Sequence, residues 1–183
     1  MAAGTPRQVN LLRGINVGGH HKVPMKWLRE AYDALGCEDV TTYLQSGNVV
    51  FHRDNAPTAV SAELAAVIKK ELGFDIDVLD RTHDDLVRLV ADDQFPAADP
   101  SKRLVVFLSR KLTAAEVRSL ERLVTGQEAL VVGTRELQLH CTYGIGRSKL
   151  AEAVSKKQLK LVATARNWRT VTKLVELSAP VDG

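Results

Sequence analysis

Twice along this chain a short apolar run is followed by a helical stretch, a turn-centred pair of extended runs and a second helical stretch. No other feature constrains the fold as strongly. A strand–helix–strand–strand–helix rhythm, closed by a further strand, builds one antiparallel sheet with both helices packed on it. In the first pass "QVNLLR" is a short buried strand. "VPMKWLREAYDALG" is a helix with Pro24 in its first turn and Gly36 beyond its end. Leu28, Ala31, Tyr32 and Leu35 recur along it at helical spacing. "DVTTYLQSGNVVFHR" alternates about a central Ser-Gly-Asn, as a hairpin does. "TAVSAELAAVIKKELG" is a second helix with Leu64, Val67, Ile68 and Leu72 on one side, and "FDIDVLD" is a fourth strand. "THDDLVRLV" adds a short helix opened by a Thr82–Asp85 capping box.

The second pass runs "RLVVFLS" as a strand, then "TAAEVRSLERLVTG" as a helix with a Thr113–Glu116 capping box and Gly126 at its close. "ALVVGTRELQLHC" is a hairpin turning near Gly133 and Thr134, and "SKLAEAVSKKQLK" and "NWRTVTKLVELS" are two further helices. This half reads βαββα, one strand short of the first. "QFPAADPSK", rich in Pro, Ala and Asp, is the best linker. The expectation is therefore an α+β protein of two ferredoxin-like halves, antiparallel sheets backed by helices. The halves are residues 1–91 and 103–183, joined by 92–102, and the second carries an extra C-terminal helix.

Hydrophobic residues at 45% and charged residues at 26% are ordinary for a folded chain with real cores. No apolar run is long enough for a bilayer, and "MAAGTPRQV" has no secretory h-region. Cys37 and Cys141 are too distant in sequence for a disulfide framework or a zinc spacing. A reduced cytoplasmic protein is the expectation, with no membrane, metal or cofactor implied. The net charge of +3 hides an asymmetry. Residues 54–100 hold 11 acids and 4 bases, net −7, and residues 141–175 hold 8 bases and 1 acid, net +7. Those bases are Arg147, Lys149, Lys156, Lys157, Lys160, Arg166, Arg169 and Lys173. Such a segment draws anionic partners, although a solvated helix surface has the same composition.

Four stretches hold the residue types of a binding site. In "RGINVGGHHK" glycines allow close backbone approach, a helix start follows, and Arg13, Asn16 and Lys22 add donors and charge. The loop matches neither the phosphate-loop nor the dinucleotide fingerprint. The plainer reading is a tight connection whose arginine pairs with a structural carboxylate. "YLQSGNVVF" sets Gln45, Ser46 and Asn48 around Gly47, which turn propensity alone also explains. "YGIGRSKL" places Tyr143, Arg147, Ser148 and Lys149 before a helix that Ser148 would cap. Cations oppose the dipole at a helix start, so their presence there points to an anion nearby. "TARNWRTVTKL" puts Asn167 at an N-cap with Arg166 and Arg169 around Trp168, either a nucleic-acid contact or a core anchor with solvated neighbours. His20 and His21 read as surface histidines, and His140 and Cys141 as strand neighbours facing opposite ways. "FHRD" lacks the aromatic pattern of an RNA-recognition motif.

The long stretch "LLRGINVGGHHKVPMKWLREAYDALGCEDVTTYLQSGNVVF", with "YGIGRSKL" and "TARNWRTVTKL", closely resembles the bacterial family called domain of unknown function 1697, from about residue 9 to residue 177. The resemblance implies a compact cytoplasmic α+β protein with ferredoxin-like halves, and no reaction. Three functions compete on the residues. The first is a module binding a phosphorylated ligand, a nucleotide or single-stranded nucleic acid, at a polar glycine-rich site between the halves. Arg13, Asn16, Lys22, Gln45, Ser46 and Asn48 would come from one half. Tyr143, Arg147, Ser148, Lys149, Arg166 and Asn167 would come from the other. The second is a phosphate ester or anhydride hydrolase, by fold-level analogy with ferredoxin-like acylphosphatases, with Arg13 and Asn48 in loosely similar places. The third is a protein–protein interaction module whose polar motifs are only turns and caps.

Overall fold

A computed structural model describes residues 7–54, 57–155 and 161–180. The chain groups into two compact units, Met1–Leu89 with Lys173–Gly183, and Val90–Thr172. The first unit runs β1 (Gln8–Leu12), α1 (Met25–Ala34), β2 (Glu38–Tyr43), β3 (Asn48–His52), α2 (Pro57–Leu72), β4 (Val78–Thr82) and most of α3 (His83–Ala91). The second contains β5 (Arg103–Leu108), α4 (Ala114–Glu121), β6 (Ala129–Val132), β7 (Glu136–His140), α5 (Lys149–Ser155) and β8 (Ala163–Asn167). The boundary back to the first unit falls inside α6 (Trp168–Ser178). The sheets have the same strand order, β2-β3-β1-β4 and β6-β7-β5-β8, and every neighbouring pair is antiparallel. Both halves are thus ferredoxin-like.

The clearest departure from the sequence expectation is an added strand. The second half has a fourth strand, β8, paired with β5 from Leu104↔Asn167 to Leu108↔Ala163. Its sequence "ATARN" has no large apolar residue and one arginine, so it has no strand signature of its own. The pairing with β5 makes it a strand. The residues after Ser155 that the expected long helix would include, Lys156, Lys157 and Lys160 among them, lie outside the described residues.

Local signals hold at several helix ends. Helix α1 starts after Pro24 and ends in a Schellman closure, with the Gly36 amide on the Asp33 carbonyl at 2.9 Å and Cys37 on Tyr32 at 3.1 Å. The Thr82–Asp85 box forms in both directions, at 3.0 and 3.1 Å. Helix α4 is shorter than its pattern suggests. After Glu121 the amides of Leu123 and Val124 bond three residues back, so the last turn tightens well before Gly126.

The helix-backed core of the first unit joins Leu12, Leu28, Tyr32, Val49, Phe51, Leu64 and Ile68. The other helix-backed core joins Leu104, Val106, Leu108, Leu120, Leu137, Leu139 and Leu150. Each such side chain contributes about 1.5–3 kcal/mol by leaving water. Central strand β5 is buried at all six positions, so its "RLVVFL" does not alternate. The first core also encloses a polar chain: Asn10 donates to the Tyr32 hydroxyl at 2.9 Å and accepts from Ser61 at 3.2 Å. Burial drives the Tyr32 phenol far above its usual range.

Helix α4 provides a pH-dependent prediction. Arg110 grips the Glu116 carboxylate with both terminal nitrogens, at 3.0 and 2.9 Å, and the Thr113 amide donates to it at 2.8 Å. The arginine first, then the Thr113 amide, hold the Glu116 carboxyl down at about 2 from its usual 4.5. A depressed carboxylate stabilises the fold fully above its unfolded pKa and loses that effect as the pH falls through the folded value. Glu116→Gln keeps the capping geometry and removes the charge. Its melting temperature should lie below the parent's at neutral pH, with the gap closing between about pH 4.5 and about pH 2. Melting curves across that range check it; a gap that does not change with pH would refute the role of the charge.

Candidate functional site

The six residues nominated in the first unit do share one end of its sheet, because three loops are bonded together there. The Leu12 amide donates to the Gly47 carbonyl at 2.8 Å, and the Arg13 amide to Asp77 at 3.0 Å. Asn16, at a φ of +55°, is the staple. Its side-chain amide donates to the carbonyls of Val23 at 3.0 Å and Gln45 at 2.9 Å, and its oxygen accepts from the Val23 amide at 2.9 Å. Between those points the loop turns back on itself through a Val17–His20 bridge.

That construction consumes most of the polar groups. Arg13 Nη1 pairs with Asp77 Oδ2 at 3.2 Å. Asn48 is buried, and its amide nitrogen donates to the Tyr43 carbonyl at 2.8 Å and Ser46 Oγ at 3.1 Å, closing the hairpin turn. The arginine and asparagine on which the phosphatase analogy rests are both engaged in building the loops. Lys22 and Gln45 remain exposed. His20 and His21 are on the surface as expected, His21 stacked on Phe74 at 4.5 Å. Exposed Val17 and Leu44 accompany them.

In the second unit the loop between β7 and α5 is fixed just as firmly. The Gly144 amide bonds the Cys141 carbonyl at 2.8 Å, and the Arg147 amide bonds Gly144 at 3.1 Å. Ser148 caps α5, accepting from the Ala151 amide at 3.1 Å. Glu152 sits in the first turn of α5 and supplies the acid a helix start favours. With that acid in place, the flanking cations do not by themselves require an external anion. What remains is their availability: Arg147 and Lys149 are exposed and have no side-chain partner among the described residues, and Tyr143 is 58% exposed.

The two β8 nominees divide. Arg166 is buried, its Nη1 on Thr164 Oγ1 at 2.8 Å and the Ala165 carbonyl at 2.9 Å. Burial pulls its guanidinium down to about 10. Asn167 is the N-cap of α6, accepting from the Thr170 amide at 2.8 Å. Trp168 is a core anchor, 7% exposed, with the Arg103 guanidinium 3.8 Å above its ring.

Sequence reading missed a polar corner at the opposite end of the first sheet. There Gly36, Glu38, His52, Arg53 and Asp54 line a cleft of about 220 Å³. Arg53 Nη1 pairs with Glu63 Oε2 at 2.6 Å. Burial pushes the nearby Cys37 thiol up to about 11, so it stays protonated and is no nucleophile at neutral pH. Only the mixed charges of "FHRD" hinted at this corner. Among the described residues no cluster of His, Cys, Asp and Glu is arranged to hold a metal, and no helix is long and apolar enough to cross a membrane.

A family model described as a protein of unknown function, DUF1697, matches residues 6–137. The conserved bacterial protein SP0830 from Streptococcus pneumoniae is similar in structure, with a TM-score of 0.75 and 23% identity over 94% of this chain and 97% of that one. At that identity the likeness establishes the fold alone. No curated protein matches the sequence.

Proposed function

We propose that this chain, which belongs to the DUF1697 family of proteins of unknown function, binds a phosphorylated, polyanionic ligand through the loop between β7 and α5. The carrying observation is that Arg147, on a bonded loop, and Lys149, at the start of α5, stand exposed with no acidic partner among the described residues, whereas Arg13 is paired with Asp77. Unpartnered surface cations in a segment of net charge +7 give phosphates a place to displace counterions without first breaking an ion pair. Catalysis is not part of the proposal, since the groups it would use in the first unit are turn-building groups. The two free, buried cysteines suit a reducing compartment such as the cytoplasm.

Thermal-shift titrations of the full chain with nucleotides, sugar phosphates, inorganic phosphate and short single-stranded oligonucleotides test this. A ligand that binds only the folded state raises the melting temperature. Oligonucleotides should give the largest shift, since they present many phosphates. The Arg147→Ala/Lys149→Ala double variant should lose most of it and lower the slope of log K against log salt by about 1.4. A shift with no ligand class, or one untouched in the double variant, removes the proposal.

A further inference from the structure

We infer that Tyr143 is a stacking platform for an unpaired base and that Gly126 sets its position. The inference rests on the binding proposed for this loop and narrows the ligand to single-stranded nucleic acid. Tyr143 is 58% exposed. Its ring edge lies so close to Gly126 that a Cβ there would meet the hydroxyl oxygen at 2.9 Å and Cε2 at 3.2 Å. Gly126 is also at a φ of +60°, which by itself favours glycine there.

Both loops that bring these residues together are anchored one position away. Thr142 Oγ1 donates to the Gln127 carbonyl at 2.8 Å. Thr125 Oγ1 donates to buried Glu128 Oε2 at 3.0 Å, and the Glu128 amide returns to the Thr125 carbonyl at 3.1 Å. One edge of the ring therefore lies against the Gly126 turn while the rest meets water. A tyrosine has only two side-chain torsions, so it has little conformational freedom to lose when a base stacks on it. Arg147 follows on the same bonded loop and Lys149 opens α5, four and six residues along. An aromatic platform beside backbone-directed cations is how proteins hold single strands with little sequence preference. A duplex keeps its bases stacked and offers the ring nothing.

The test is anisotropy of labelled oligothymidylate, oligouridylate and an abasic strand of equal length and charge, titrated with the full chain at fixed low salt. Base-bearing strands should bind about tenfold more tightly than the abasic one, the effect of one stacked base. Tyr143→Ala should abolish that preference and leave the salt dependence, and Tyr143→Phe should keep both. Gly126→Ala, with Tyr143 intact and folding confirmed by a melting curve, should also reduce the preference. Tighter binding of either base-bearing strand supports the platform and shows whether DNA or RNA is preferred. Equal affinity for all three strands, still lost in the Arg147→Ala/Lys149→Ala variant, overturns the platform and leaves the binding proposal standing. A preference that survives Tyr143→Ala also overturns it, and no binding of any strand removes both.

Discussion

Gly47→Ala should cost about 3 kcal/mol or more, enough to lower the melting temperature by roughly 6–12 °C in a chain of this size. Two effects add. Gly47 is at a φ of +74°, where an alanine is strained by roughly 1–2 kcal/mol. An added Cβ would also lie 2.6 Å from Leu12 Cβ and 2.8 Å from Ile15 Cδ1. The first of these is fixed to the backbone of a central strand and cannot rotate away. Leu12 and Ile15 are buried, and the Gly47 carbonyl is the acceptor that joins the hairpin turn to β1. The control is Gly36→Ala, at a φ of +73° with nothing within 4 Å of the added carbon, which should cost only the strain. Denaturant unfolding of both variants decides the matter. Equal costs at the two positions would mean that the close approach at Gly47 contributes nothing.

Arg103→Ala should destabilise by about 3–5 kcal/mol, the range for breaking a buried ion pair by removing one partner. The Arg103 side chain is 4% exposed, pairs with Asp93 and covers Trp168. Its loss leaves a carboxylate only 22% exposed without its cation and opens a void over the indole. Asp93 retains the Phe95 amide at 2.9 Å, so the residual charge is not wholly unsatisfied. The double variant Arg103→Met/Asp93→Asn should therefore cost less than Arg103→Ala, because it removes both charges and fills part of the void. Unfolding free energies of Arg103→Ala and of the double variant make the comparison. A double variant as unstable as Arg103→Ala would mean that lost packing on Trp168, rather than the orphaned charge, carries the effect.

Much of the fold was legible because its signals are short in range. The Thr113–Glu116 and Thr82–Asp85 boxes, the Gly36 closure and the Asn167 cap each need residues only a few positions apart, and all form. The periodic pattern on α1 likewise puts Leu28, Ala31 and Tyr32 in the core. Strand β8 was not legible, since nothing in "ATARN" favours extension until β5 pairs with it. The candidate site was legible only as places. Sequence reading nominated the first-unit loops, and the structure does gather them at one sheet end. It could not show that Asn16 is a staple or that Arg166 is buried.

The sequence by itself determined the doubled βαββ rhythm, the helix ends and the apolar faces, because spacing alone decides which side chains share a face or reach a nearby amide. Tertiary structure decided which charges are available to a ligand. Arg13 meets Asp77 across 64 residues, and the Arg147 and Lys149 side chains meet no partner among the described residues. That difference depends on loop closure between distant segments, and no local pattern around any of the three cations records it.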